Sequence, residues 1–223
     1  VLSEETGYAI GGASVGFSVS ADIVAYYLMN AGTEDQKRQW LPNMVTGETI
    51  ASIGMTEPGA GSDLKAIRTS AVRDGDEYVI NGQKTYITNG QNSDFVLLAC
   101  VTDPGKGARG ISMIIVETDR PGFERGRNLD KVGQHSADTS ELFFNDARVP
   151  MTNILGEEGM GFVYLMTQLP QERLSIAVSA MGMAQRGFDE AVKFVKDRPA
   201  FGKTVFEFQN TRFTLADLQS KLQ

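Results

Sequence analysis

Histidine and cysteine are nearly missing from this chain: among 223 residues there is one of each, His135 and Cys100. A metal held by several histidines is thereby excluded, and a Ser-His-Asp triad would have to use His135 alone. One cysteine forbids a disulfide framework within the chain, and a reducing compartment fits. No apolar run approaches the ~20 residues that a membrane-spanning helix needs. The longest, Phe95 to Val101 and Ile111 to Val116, have the length of strands. Positive charge is also short: 21 Lys and Arg stand against 28 Asp and Glu, a formal charge of −7. That argues against a nucleic-acid surface but leaves room for a local basic pocket. There is no internal repeat, no low-complexity tract and no signal-peptide pattern at the start.

What is present is ordinary for a globular protein, 41% hydrophobic and 22% charged residues, in a length that suits one large domain or two to three small ones. Val1 is not Met, and the helical spacing Phe213, Leu215, Leu218, Leu222 runs into the last residue. A fragment lacking both natural ends is expected.

The pattern along the chain changes twice. Residues 1–50 read as helical, with Thr33-Glu34-Asp35-Gln36 as a capping box and two acidic residues at the positive end of the helix dipole. Residues 51–155 read as short strands split by turn residues. Among them, Glu77 to Ile80 and Lys84 to Thr88 flank Asn81-Gly82, a strong hairpin signal. With no helix between strands to carry a parallel crossover, an antiparallel sheet or barrel is expected. Residues 156–223 read as helical again. Leu174, Ala177, Val178 and Met181 lie on one face, Pro170 starts or kinks that helix, a break falls at Arg198 to Gly202, and a second helix begins near Glu207.

Two segments carry the chemistry. Met55-Thr56-Glu57-Pro58-Gly59-Ala60-Gly61-Ser62-Asp63 bares its backbone at Gly59 to Gly61 and then offers a hydroxyl, a form that can press amide N–H groups against a phosphate. Tyr86-Ile87-Thr88-Asn89-Gly90 sets a ring, an aliphatic residue and a hydroxyl in a row at a strand end, suited to the edge of a flat polar heterocycle. A nucleotide cofactor held by loops of a β domain follows. Taken singly, the first segment is equally an ordinary capped turn and the second a half-buried strand end.

Five strings in order, MTEPGAGSD, NGQKTYITNG, ELFFNDARVP, LPQERLSIA and RPAFGKTVFEFQ, resemble the acyl-CoA dehydrogenases over nearly the whole chain, with LPQERL most like the long-chain branch. The resemblance implies an α+β multidomain fold: the end of a helical N-terminal domain (1–50), a middle antiparallel β-barrel that binds flavin (51–155) and the start of a C-terminal helical bundle (156–223). It implies bound FAD and conversion of a fatty acyl-CoA to a trans-2-enoyl-CoA in fatty acid β-oxidation. An electron-transfer flavoprotein is the implied acceptor, in a homodimer or homotetramer, in the cytoplasm or the mitochondrial matrix. Alternatives on the same fold are an acyl-CoA oxidase, a flavin monooxygenase or a non-catalytic acyl-CoA-binding relative.

By the same resemblance, Met55, Thr56, Gly61 and Ser62 meet the flavin from one loop and Tyr86, Ile87 and Thr88 from the other. Many relatives have Trp where Tyr86 stands. Arg198, Phe201 and Gln209 reach the ADP part of FAD, commonly that of a neighbouring subunit. Ser62, Pro170, Gln171 and Arg173 line the acyl-CoA. Glu172 matches the base of the long-chain and isovaleryl-like branches; in other branches the base lies beyond Gln223. Read from the residues alone, Glu172 follows Pro170 near a helix start, where a surface Glu favoured by the dipole is the competing account. A carboxylate in a site emptied of water by a fatty chain would have its pKa raised, as a base for a weakly acidic proton requires. His135, Asp138 and Thr139 are expected in a loop, and Cys100 in inert core.

Overall fold

In a computed structural model of the chain, residues 1–9 and 17–223 are described; most of the glycine-rich stretch from Gly7 to Gly16 lies outside them. Two compact units result, Val15–Glu172 and, separately, Val1–Ser14 with Arg173–Gln223.

The larger unit begins with a π-helical turn, Val19–Val24, that runs into helix α2, Ala25–Ala31. Helix α3, Glu34–Thr46, follows. Its start is the expected capping box: the Gln36 amide donates to Thr33 Oγ1 at 3.2 Å, and the Thr33 amide donates to Gln36 Oε1 at 3.1 Å. Gly47, at φ 79°, closes the helix in the left-handed region.

Seven strands follow: β1 Ala51–Gly54, β2 Ser70–Asp74, β3 Glu77–Thr88, β4 Phe95–Val101, β5 Ile111–Glu117, β6 Phe123–Asn128 and β7 Thr139–Pro150. They form one sheet, a half-barrel in which β3 pairs with β2 and β7, β7 with β6, and β4 with β5, all antiparallel. Two pairings depart from the expectation: β4 lies parallel to β1, with Ala51 opposite Phe95, and meets β2 in parallel at Ser70 and Val101. A parallel pair needs a long crossover, not necessarily a helix, and the β2–β3 hairpin fills the connection from β1 to β4.

The hairpin itself is also displaced. β3 runs unbroken through Asn81-Gly82, and the reversal comes instead at Gly75, φ 62°, with Asp74 opposite Glu77. Gly82 serves close approach: a Cβ there would stand 2.6 Å from Thr69 Cα, and its φ is 148°. The register of β3 against β7 slips at this point, and the Asn81 side-chain amide bonds across the bulge to Asp146 at 2.9 Å.

β4 and β5 show no hydrophobic–polar alternation because both of their faces are covered. Phe95, Leu97, Ala99, Ile111, Met113 and Ile115 join Val24, Tyr27 and Leu28 of the helical layer. Val96, Leu98, Cys100, Ile114 and Val116 face the inside of the half-barrel with residues of β2, β3, β6 and β7. Cys100 is fully buried there, its pKa pushed up to about 12 by desolvation, which makes it inert core as expected.

Helix α4, Gly161–Asp197, starts earlier than its sequence suggests, so Pro170 lies inside it and Glu172 is not in a first turn. The dipole account of Glu172 therefore fails. In the smaller unit, helix α1, Leu2–Tyr8, packs against the later part of α4: a Cβ on Gly182 would stand 2.4 Å from Glu4 O. A hairpin of β8, Pro199–Ala200, and β9, Lys203–Thr204, then leads to helix α5, Gln209–Leu222. Leu174, Ala177 and Met181 on α4 are exposed. No helix among the described residues is long and apolar enough to cross a membrane.

Candidate active site

The two segments singled out in the sequence are brought together by β1 and β3. The Thr85 amide donates to Thr56 O at 2.9 Å, so the end of β1 and the end of β3 leave the sheet side by side. Beyond Thr56 the chain makes a tight turn in which Glu57 and Ala60 exchange backbone hydrogen bonds of 2.8 and 3.1 Å. Gly59 and Gly61 in this turn have neither a positive φ nor any atom within 4 Å of where a Cβ would sit. The protein's own packing does not require glycine there, and the bare backbone faces outward.

Across from it, Tyr86 is 69% exposed and holds φ at 60°, an outlier for a bulky residue of the kind found at ligand clamps. Its neighbour Ile87 turns into the half-barrel core, so that only its backbone is available to a ligand. Asn89, also at positive φ, anchors the strand end by donating from its side chain to Ala51 O at 3.1 Å. Among the described residues the hydroxyls of Thr56, Ser62 and Thr88 have no hydrogen-bond partner. Elsewhere in the same unit Thr69 and Thr118 bond theirs to carbonyls at 3.3 and 2.8 Å. Spare hydroxyls, bare backbone and an exposed ring in a strained pose together fit a flat polar ligand with a phosphate tail.

A buried ion pair that the sequence did not reveal holds this arrangement. Lys84 Nζ, fully buried, donates to Glu57 Oε1 at 2.8 Å and to Met55 O at 3.1 Å. The other donors to Glu57 are the amides of Arg68 and Thr69, at 2.7 and 2.9 Å. Burial by itself would raise the Glu57 pKa, but Lys84 and Thr69 outweigh it and hold the carboxyl below its ordinary value. Burial lowers the pKa of Lys84 despite its partner. Nothing about the string of residues distinguishes Glu57 or Lys84 from surface charges; the pair exists only once the sheet aligns them.

Glu172 is a carboxylate of the opposite kind. It is 5% exposed and accepts one hydrogen bond, 2.8 Å from the Tyr27 hydroxyl. Desolvation raises its pKa, and the Tyr27 bond offsets only part of that. Tyr27, itself buried, belongs to the core cluster that includes Ala60 and packs against Met55. The side-chain oxygen of Gln171, next in the chain to Glu172, is buried without a partner. Pro170 is exposed on α4. Asp138 ties its loop back to the strand end by accepting from the Gln91 amide at 2.7 Å. In the smaller unit Arg173, Arg198 and Gln209 are exposed, and Phe201, at φ 53°, is 96% exposed on the β8–β9 turn.

Comparison with known proteins matches three family descriptions in order. "Acyl-CoA dehydrogenase, N-terminal domain" covers residues 1–48, the middle domain 52–147 and the C-terminal domain 159–223. A long-chain specific mitochondrial acyl-CoA dehydrogenase of Sus scrofa is 47% identical over 93% of this chain and 49% of its own. Among solved structures, an acyl-CoA dehydrogenase from Geobacillus kaustophilus superposes with a TM-score of 0.96 at 52% identity, covering 99% of this chain and 58% of that one. A glutaryl-CoA dehydrogenase of Mycobacterium smegmatis, solved with FADH2, superposes at 0.91 with 30% identity, over 99% of this chain and 55% of that one. The chain thus spans about half the length of the curated relative.

Proposed function

This chain belongs to the acyl-CoA dehydrogenase family, and we propose that it carries the flavin-holding and proton-abstracting parts of an enzyme that oxidises a fatty acyl-CoA to the trans-2-enoyl-CoA. The observation that carries this reading is Glu172: a carboxylate withdrawn from water, unpaired with any cation among the described residues, and made more basic by its burial. A carboxylate with these properties suits removal of the weakly acidic Cα proton of a thioester. FAD, when bound, would supply the acceptor for the hydride that leaves Cβ.

The protein's own part is to bind and to orient. Backbone at Gly59 to Gly61 and the Ser62 hydroxyl would take the phosphate side of the cofactor. The Tyr86 ring would cover one part of the ring system, while the Thr56 and Thr88 hydroxyls and the backbone of Met55 and Ile87 would meet its polar edge. Arg198, Phe201 and Gln209 would reach the adenosine half in a neighbouring subunit, and Ser62, Pro170, Gln171 and Arg173 would line the acyl-CoA. An electron-transfer flavoprotein is the proposed acceptor of the electrons.

The test uses the full-length, flavin-loaded protein. Glu172→Gln keeps the shape and the yellow colour and lowers the turnover of acyl-CoA by at least about 100- to 10,000-fold. Full activity in that variant would place the base elsewhere and end this assignment.

A further inference from the structure

The contact between Tyr27 and Glu172 joins two elements 145 residues apart in sequence, and nothing in the proposed chemistry so far uses the tyrosine. Both partners are buried, so each needs the other: a phenol O–H out of water requires an acceptor, and a carboxylate out of water requires a donor. The comparison with Glu57 shows what a purely structural buried carboxylate looks like in this fold. Glu57 has an ammonium and two backbone amides on its oxygens. Glu172 has one neutral donor, on Oε1 alone. No lysine or arginine pairs with it among the described residues, and Tyr27 of α2 is the one titratable side chain acting on it.

We propose that Tyr27 is a positioning residue for the base: its hydroxyl holds Oε1 of Glu172 so that Oε2 is left to take the substrate proton. The inference rests on Glu172 being that base. Tyr27 lies in the first turn of α2, the helix into which the π-helical turn Val19–Val24 runs, and is 1% exposed, so its ring is fixed by packing and its hydroxyl cannot swing to solvent. Its own pKa is driven upward by burial and by the neighbouring carboxylate, so the phenol remains a donor across the working pH range. A neutral donor steadies the carboxylate without the strong acidification that a cation would impose.

Tyr27→Phe keeps the ring and removes the bond. In the full-length, flavin-loaded enzyme, the acidic limb of kcat/KM moves to higher pH, and activity at pH 6 falls about tenfold relative to that at pH 9. A fluorinated tyrosine at position 27, a stronger donor of nearly the same shape, moves the limb to lower pH. Difference infrared spectroscopy on flavin-free protein, referenced to Glu172→Gln, follows the same carboxyl without any turnover, and its titration moves in the same directions. A pH profile for Tyr27→Phe that superposes on the wild type overturns the proposal. If that variant fails to fold, an unmoved limb with fluorotyrosine does so. Full activity of Glu172→Gln would instead remove the base assignment beneath it, so the two failures are distinguishable.

Discussion

Glu57 and Glu172 are the same residue type at nearly the same burial, 8% and 5% exposed, yet their pKa values move in opposite directions. Neighbours decide the sign. Glu57, surrounded by donors, is stabilised as the anion; Glu172, with one phenol, is left more basic than a carboxyl in water. A stability consequence follows for the second. The unfolded chain ionises Glu172 at the ordinary carboxylate pKa and the folded protein only at a higher one, so folding stability is lost as pH rises between the two. Glu172→Gln in the flavin-free protein therefore has a higher thermal midpoint than the wild type at pH 8, and the difference fades below the ordinary carboxylate pKa. A midpoint difference that grows on acidification would contradict the burial account.

Strands β1 and β3 carry the site at their ends, and Lys84 of β3 ties down the segment that follows β1 through Glu57 and Met55. Removing one partner leaves the other charge stranded in the core. Lys84→Met accordingly lowers the unfolding free energy by about 3–5 kcal/mol. Glu57→Gln/Lys84→Met together cost less than the single lysine change, because no uncompensated ion remains. Urea unfolding of the wild type, the two single variants Lys84→Met and Glu57→Gln, and the double variant checks both statements, and additive losses would show that the pair is not coupled. The Asn81-Gly82 dipeptide teaches a related lesson about elements. Its hairpin chemistry is genuine, but a glycine pressed against Thr69 in a continuous strand uses the same residue for a different purpose.

At the scale of the whole molecule, the exposed Phe201 has no role in the packing of its own unit beyond an edge-on approach to Phe208, with ring centroids 6.3 Å apart. An aromatic side chain held outward on a turn at φ 53° fits the proposed contact with a cofactor belonging to another subunit. In the full-length protein, Phe201→Ala weakens FAD retention about tenfold, leaves the thermal midpoint of the flavin-free protein close to wild type, and shows its effect most clearly on dilution. Equilibrium dialysis of flavin at several protein concentrations measures this. Retention equal to the wild type at every concentration would remove Phe201 from the cofactor site.

Local chemistry was legible in the order of residues. The Thr33 capping box, the strand runs from Phe95 and from Ile111, the bare-backbone turn and the five family strings depend on near neighbours, and each appears where the sequence put it. The tertiary structure decided what depends on residues far apart in the chain. These are the parallel pairing of β1 with β4, the passage of β3 through Asn81-Gly82, the Lys84–Glu57 lock and the Tyr27–Glu172 bond. A side chain's ionisation is set by what surrounds it in space, and no local pattern records which distant residue will supply a donor or withhold water.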